Sequence, residues 1–518
     1  MDEARKHRRS RAALLVLALD RTAADSLQRQ LYGQVREAVL AGRLAPGTRL
    51  PSTRTLAGEL ACSRNTVLGA FEQLTAEGYL EGRGGSGSYV SRVLPETLLA
   101  RPAGRQTPDD GARPAGPAAD PEASAVAEQA PFGATGLRPF APGVPDLGLF
   151  PFDIWGRLLG RIWRRPDADL LLPAPPAGHP PLRAAIAGYL RSVRSVACTA
   201  EQLFITAGAQ PALDLVARVL LTPGDQVWIE EPGYPGLRGP LAAAGARLVP
   251  VPLDAEGLSV RSGRSLADGA SLAVVAPSHQ YPLGTTMSLA RRLELLAWAR
   301  DRGAWLVEDD YDSEYRYAGR PLAALQGLDA ERAADDESGR VFYIGTFSKV
   351  LFPAIRLGYL VVPLGLVGEF ARARAAIDAY PSAIVAPVLA AFMAEGHFAA
   401  HVRRMRTVYA RRREALLAAG GRHLEGLLEL APGEGGLHLV GRMTAALAWR
   451  LSDREAEARA VAAGLAPRAL SRFYLAPPEA SYRESPPRGL LLGFAALADA
   501  EIEPAVKRLA DALRRGSG

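Results

Sequence analysis

Near the start of the chain apolar residues recur at every fourth position. Leu27, Leu31, Val35 and Val39 share one face of a helix that the spacing predicts from about Asp25 to Ala41, with Gly42 ending it. After the turn Leu44-Ala45-Pro46-Gly47, Ser52 is placed to cap a second helix carrying Leu56 and Leu60. Ser63 is placed to cap a third, with Val67, Phe71 and Leu74 facing inward and Gly78 closing it. Tyr79-Leu80-Glu81 and Tyr89-Val90 then flank a turn over Gly82–Ser88, which predicts a hairpin. Periodicity stops at residue 93. From there to about 135 the chain is rich in Pro, Ala, Gly and Asp, the composition of a flexible, partly extended linker. Beyond it, strand-like runs (Gln226–Glu230, Leu272–Val275, Ala304–Val307, Val341–Ile344) alternate with helical stretches, as in an α/β fold with a mainly parallel sheet. No internal repeats are seen. The expected organisation is a small domain at 1–92, a linker at 93–135 and a large domain at 136–518.

A chain of 518 residues is too long for one hydrophobic core, and 48% hydrophobic with 22% charged residues is ordinary globular composition. The apolar run Ala12–Leu19 follows Arg8, Arg9 and Arg11 as a secretory leader would. It is short, Asp20 ends it, and no small-residue cleavage site follows, so it reads as a strand or lead-in. No run reaches the length of a membrane span. The two cysteines, Cys62 and Cys198, offer neither a disulfide framework nor zinc spacing, which points to a reducing cytoplasm.

Charge is uneven. Residues 1–92 hold 14 Arg and Lys against 9 Asp and Glu, a net +5 where the whole chain has +6. That concentration points to a polyanion partner. Two short helices joined by a tight turn form the helix-turn-helix pattern, in which the N-terminus of the second enters the major groove. Ser63, Arg64, Asn65 and Thr66 stand there. Arg can read guanine and Asn adenine through paired hydrogen bonds, and a helix N-terminus favours phosphate. Glycines in the hairpin allow close approach to a DNA backbone, as in a wing. The stretch LYGQVREAVLAGRLAPGTRLPSTRTLAGELACSRNTVLGAFEQLTAEGYLEGRGGSGSYV resembles the GntR-type winged helix over its whole length. The resemblance implies a double-stranded DNA operator as partner. It assigns DNA contacts to Arg54, to Ser63, Arg64, Asn65 and Thr66, and to a wing glycine, Gly85 or Gly87.

Lysine is the informative count. Lys6, Lys349 and Lys507 are the only three, against 58 arginines, so arginine serves wherever positive charge suffices. Lys349 stands alone in the interior of the sequence. A Schiff-base amine is the task arginine cannot perform, because its guanidinium stays protonated. Pyridoxal phosphate needs such a lysine, a carboxylate for its ring nitrogen, an arginine and hydroxyls for its phosphate, and usually a stacked ring. All four can be assigned. Lys349 lies in Ile344-Gly-Thr-Phe-Ser-Lys-Val-Leu-Phe-Pro-Ala-Ile-Arg-Leu-Gly-Tyr359, which also supplies Thr346, Ser348 and Arg356. Glu308-Asp-Asp-Tyr-Asp-Ser-Glu314 sits at the end of the strand predicted at Ala304–Val307, where α/β sheets face their ligands. Thr206-Ala-Gly-Ala-Gln-Pro starts a helix whose first amides suit a phosphate, and Tyr234 offers a ring.

In this order the motifs resemble fold-type I aminotransferases, and with the N-terminal domain they resemble the MocR subfamily of GntR regulators over nearly the whole chain outside the linker. Blocks such as APSHQYPLGTTMSLARRLELLAWAR and EDDYDSEYRY are close to that subfamily's wording. The resemblance implies a Schiff-base link at Lys349, Asp309 on the ring nitrogen, Tyr311 on the ring hydroxyl and Tyr234 stacked on the ring. It places Ala209, Gln210, Thr346, Ser348 and Arg356 on the phosphate. It implies a homodimer and a regulator that senses an amine, an amino acid or pyridoxal phosphate itself; the alternative is an active aminotransferase with an appended DNA reader. Two departures weaken the case for transamination. Pro173-Ala174-Pro175-Pro176 stands where many relatives carry Tyr-Gly-Asp-Pro, and Leu491 stands where aminotransferases carry an arginine for the substrate carboxylate, with Arg488 or Arg483 as candidate substitutes. His397 and His401 have the spacing of a zinc pair but no HExxH glutamate or third ligand, so no metal site is expected.

Overall fold

The computed structural model of the chain describes residues 17–23, 25–83, 87–92, 138–317, 323–331, 339–378, 384–475 and 488–514. Two compact units divide the chain, residues 1–116 and 117–518.

In the first unit, helix α1 (Leu27–Leu40) buries Leu31, Val35, Ala38 and Val39, the face that the four-residue spacing predicts. Helices α2 (Thr53–Glu59) and α3 (Arg64–Ala76) each start on a serine: Ser52 Oγ accepts from Thr55 N and Ser63 Oγ from Thr66 N, both at 3.1 Å. Each such cap contributes about 1 kcal/mol. Leu56, Val67, Phe71 and Leu74 meet α1 in one core. The hairpin of β1 (Leu80–Arg83) and β2 (Gly87–Val90) is longer than the sequence suggests, because pairing continues to Arg83↔Gly87. The alternation rule loses these positions because the flanking residues are glycine and serine. Leu17 and Leu19 pack on the core, so the end of the early apolar run serves as a lead-in; residues 12–16 lie outside the described residues.

The second unit holds an eight-stranded sheet. Its strands are β3 (Leu203–Thr206), β4 (Gln226–Glu231), β5 (Arg247–Asp254), β6 (Gly257–Leu258), β7 (Leu272–Val275), β8 (Trp305–Asp310), β9 (Val341–Thr346) and β10 (Gly358–Val361), in the order β3-β10-β9-β8-β7-β4-β5-β6. Strands β5, β4, β7, β8 and β9 run parallel, and β10 is antiparallel to both neighbours. The inner parallel strands β4, β7, β8 and β9 are almost wholly buried, as expected of a sheet covered on both faces, whereas β5 is largely half-buried or exposed. A second, antiparallel sheet pairs β11 (Leu428–Leu430), β12 (His438–Met443), β14 (Gly489–Gly493) and β13 (Arg468–Ala469) in that order.

One strand end differs from the sequence reading. Strand β8 continues past Val307 through Glu308, Asp309 and Asp310, pairing Asp309 with Ile344 and Asp310 with Gly345. Three acids are poor strand formers by pattern, but two of them find partners on burial. Asp310 takes the buried Arg194 at 2.7 Å and the Tyr343 hydroxyl, and Glu308 accepts from Gln326 N at 3.0 Å. Asp309 therefore lies within the strand, not beyond it.

Candidate cofactor and DNA-binding sites

The reader helix α3 begins with Ser63, Arg64 and Asn65 exposed and Thr66 half-buried. Ser63 and Thr66 hydroxyls lie 2.8 Å apart and close the cap, which leaves Arg64 and Asn65 as the outward side chains. Arg64 Nε donates to Thr53 Oγ1 at 3.4 Å, so the starts of α2 and α3 are adjacent, with the exposed Arg54 next to Thr53. Gly87 is exposed at φ +108°, a value that excludes most other residues, and Arg49 lies beside it. Gly85 lies outside the described residues.

In the large unit, Ala209, Gln210, Tyr234 and Asp309 line one cleft with Gly236, Val274 and Ile344. Helix α5 (Ala209–Leu220; α4 is Pro180–Val193) starts there, directly after β3. Its cap residue Gly208 has φ +130°, and a Cβ on it would lie 3.8–4.0 Å from the Arg356 guanidinium. On the far side, Gly358 packs so tightly that a Cβ would fall 2.8 Å from Gly208 Cα. The free amides of a helix start and an arginine thus share one bare backbone corner, the chemistry of a phosphate cradle. Thr346 ends β9 and accepts from Ser348 N at 3.2 Å, in the turn that carries Lys349. Tyr234 folds its ring over Gly236, where a Cβ would lie 2.4 Å from Cζ.

Lys349 Nζ donates to the Gly143 carbonyl at 2.8 Å. Burial lowers its proton affinity, opposed by the negative charges of Asp312 and Asp309. Asp309 is pushed up to about 7 by burial first and by Asp310 and Asp312 second. Its Oδ1 is buried without a hydrogen-bond partner. Tyr311 follows β8 and bonds His279 Nδ1 at 2.9 Å, and Asp312 Oδ1 reaches the same nitrogen at 3.0 Å. His438 on β12 stands 5.2 Å from His279, and its Nε2 donates to the Pro282 carbonyl at 3.0 Å. Burial and the neighbouring His279 push His438 down to about 3.

Gly143, His279, Asp312 and His438 were not singled out by sequence reasoning. The signal available for His279 was its place in the loop leaving β7, on the side of the sheet where β8 ends at Asp310. The departure at Leu491 is a packed one: this residue is fully buried with Leu470, Phe473 and Tyr474, against Tyr281, Leu283 and Val440. Arg488 instead donates to the Ala448 carbonyl at 3.0 Å, and Arg483 lies outside the described residues. His401 belongs to the core, its Nε2 donating to the Val350 carbonyl at 3.1 Å, while His397 faces Glu395. No helix among the described residues is long and apolar enough to cross a membrane.

Residues 27–90 match the family of bacterial regulatory proteins, gntR family, and residues 168–509 match aminotransferase class I and II. The probable rhizopine catabolism regulatory protein MocR of Rhizobium meliloti is 42% identical over 93% of this chain and 92% of its own length. The chain belongs to the MocR subfamily of GntR regulators. This MocR-type chain is therefore a DNA-binding transcription regulator that carries an aminotransferase-like domain. The pyridoxine biosynthesis transcriptional regulator PdxR of Corynebacterium glutamicum is 33% identical to it over 82% of this chain and 85% of its own. Among solved structures, LysN, the α-aminoadipate aminotransferase of Thermus thermophilus complexed with N-(5'-phosphopyridoxyl)-L-leucine, superposes with a TM-score of 0.63. It is 28% identical and covers 72% of this chain and 91% of its own.

Proposed function

We propose that this MocR-type regulator holds pyridoxal phosphate at Lys349 and uses it to sense a primary amine, an amino acid or the cofactor itself, changing its affinity for a DNA operator. The observation that carries the reading is the unpartnered Asp309 carboxylate, buried in the cleft where α5 begins and in the field of the Lys349 amine. Left alone, such a buried carboxylate is costly. A protonated ring nitrogen is the partner it lacks, so the donor set fits the cofactor. Bound there, pyridoxal phosphate supplies a carbonyl carbon that reacts reversibly with amines. Lys349 would hold it, with Asp309 on the ring nitrogen, Tyr311 on the ring hydroxyl and Tyr234 over the ring face. Ala209 and Gln210 amides, Thr346, Ser348 and Arg356 would hold the phosphate. Burial keeps the Lys349 amine readier to lose its proton than a surface lysine.

Arg54, Arg64, Asn65, the Ser63–Thr66 cap and the wing glycines Gly85 or Gly87 would contact DNA. Exposed apolar side chains at Phe152, Leu159, Leu171 and Leu172 support a homodimer built on the large unit. An effector can act only by binding two conformations unequally. The test is the absorbance spectrum of the full chain with pyridoxal phosphate, beside Lys349→Ala. A visible band in the parent that the variant lacks is expected, together with DNA affinity that changes when amines shift the band. No band in either protein would remove the sensor.

The aminotransferase match over 168–509 is common to both readings and does not by itself favour the alternative, an active transaminase. Repeated turnover of an amino acid to its keto acid would establish it. The buried apolar setting of Leu491 argues against efficient catalysis.

A further inference from the structure

We propose that His279, its tautomer fixed by Asp312, is a positioning residue that makes Tyr311 an obligatory hydrogen-bond donor toward the bound cofactor. The inference rests on the cofactor reading above. One nitrogen, His279 Nδ1, lies within hydrogen-bond distance of both the Tyr311 hydroxyl and Asp312 Oδ1, at 2.9 and 3.0 Å. An ionised carboxylate has no proton to give, so contact with Asp312 requires the proton on Nδ1. That N–H is then shared between the carboxylate and the Tyr311 oxygen. The phenol oxygen is thereby an acceptor from the histidine, and its own proton must point elsewhere. A neutral histidine of the other tautomer would reverse this, drawing the phenol proton onto Nδ1. Asp312 decides between the two.

The ring has no freedom to turn away. Gly436 has φ +78°, and a Cβ there would lie 2.0 Å from His279 Cε1; a Cβ on Gly284 would lie 3.1 Å from Nε2. His279 and Asp312 are 5% and 1% exposed, so water does not compete for the shared proton. Tyr281 packs edge-on against Tyr311 at 5.8 Å and holds that ring in turn. Other titratable or charged groups around His279 are His438 from β12, Arg194, Arg292 and Arg316 in the cavity beside it, and Glu434 and Arg442 in the larger cavity that it also lines.

A phenol that must donate stabilises an anionic ring oxygen on the cofactor and lowers the proton affinity of the chromophore. The experiment titrates the visible spectrum of the full-length, cofactor-loaded protein over roughly pH 5 to 10 and measures the dissociation constant for pyridoxal phosphate. For His279→Phe the spectral midpoint is expected to rise by about one pH unit or more, and the dissociation constant by about tenfold. His279→Asn puts an amide N–H near the Nδ1 position and should restore the parental midpoint. Asp312→Asn frees the tautomer and should move it the same way as His279→Phe. In a Tyr311→Phe background, His279→Phe should add no further shift. A parental midpoint in both His279→Phe and Asp312→Asn, or full additivity with Tyr311→Phe, would overturn the inference. If His279→Phe fails to fold, Asp312→Asn and the Asn rescue still decide. A visible band missing from the parent or surviving Lys349→Ala would sink the underlying cofactor reading as well, and is distinguishable from a band that forms but titrates normally.

Discussion

Asp309 sets ligand binding and folding against each other. Its carboxyl, ordinarily ionising at 3.8, is held up to about 7 by burial. A folded-state value above the unfolded one means that the folded protein retains a proton the unfolded chain has lost. Stability is therefore greatest below about pH 4 as far as this group is concerned, and is lost as pH rises through about 7. Asp309→Asn cannot ionise. The cofactor-free variant should gain most over the parent at pH 8, on the order of a few kcal/mol, less at pH 5, and little below about pH 4, read from denaturant melts. The same variant should bind pyridoxal phosphate more weakly, through loss of its ring-nitrogen partner. Of the residues proposed for this site, Lys349 stood out because the chain avoids lysine elsewhere; strand-end placement pointed to the segment Glu308–Glu314, and the family resemblance chose Asp309 within it. His279 and Asp312 were not legible, because their importance lies in a shared nitrogen brought together from two loops 33 positions apart in the chain.

Among the elements, α1, α2 and α3 were readable from apolar spacing and serine caps, and the inner strands of the sheet from short apolar runs. The end of β8 was not, since three consecutive acids count against a strand until Arg194, Tyr343 and the Gln326 amide are seen to satisfy two of them. The start of α3 shows a further division that residue type alone conceals. Ser63 and Thr66 spend their hydroxyls on the cap, whereas Arg64 and Asn65 project. Ser63→Ala should lower the melting stability of the small unit by about 1 kcal/mol, with operator affinity falling through fraying. Arg64→Ala should leave the melt and the cofactor spectrum unchanged. It should weaken specific binding by about 1–3 kcal/mol in a gel-shift or anisotropy titration against the operator. If Arg64→Ala lost the cofactor band as well, the separation of reader and sensor would be wrong.

At the scale of the whole molecule, the segment that enters the large unit is fastened at several points. Phe140 bridges to Gly493, where any side chain would collide with the Ala141 carbonyl at 2.1 Å. Asp146 pairs with the buried Arg412 at 2.7 Å, and its backbone N–H donates to the Tyr409 hydroxyl at 2.8 Å. Between these points the Gly143 carbonyl is held by Lys349 itself. On the proposed reading the lysine nitrogen thus has two claimants, pyridoxal phosphate and the first turn of chain that follows the Pro- and Ala-rich stretch. Amide hydrogen exchange across residues 138–146 should accelerate when pyridoxal phosphate is added to the parent protein and stay constant in Lys349→Ala. Chemistry at a single amine would then be written into the tether that leads back toward the DNA reader.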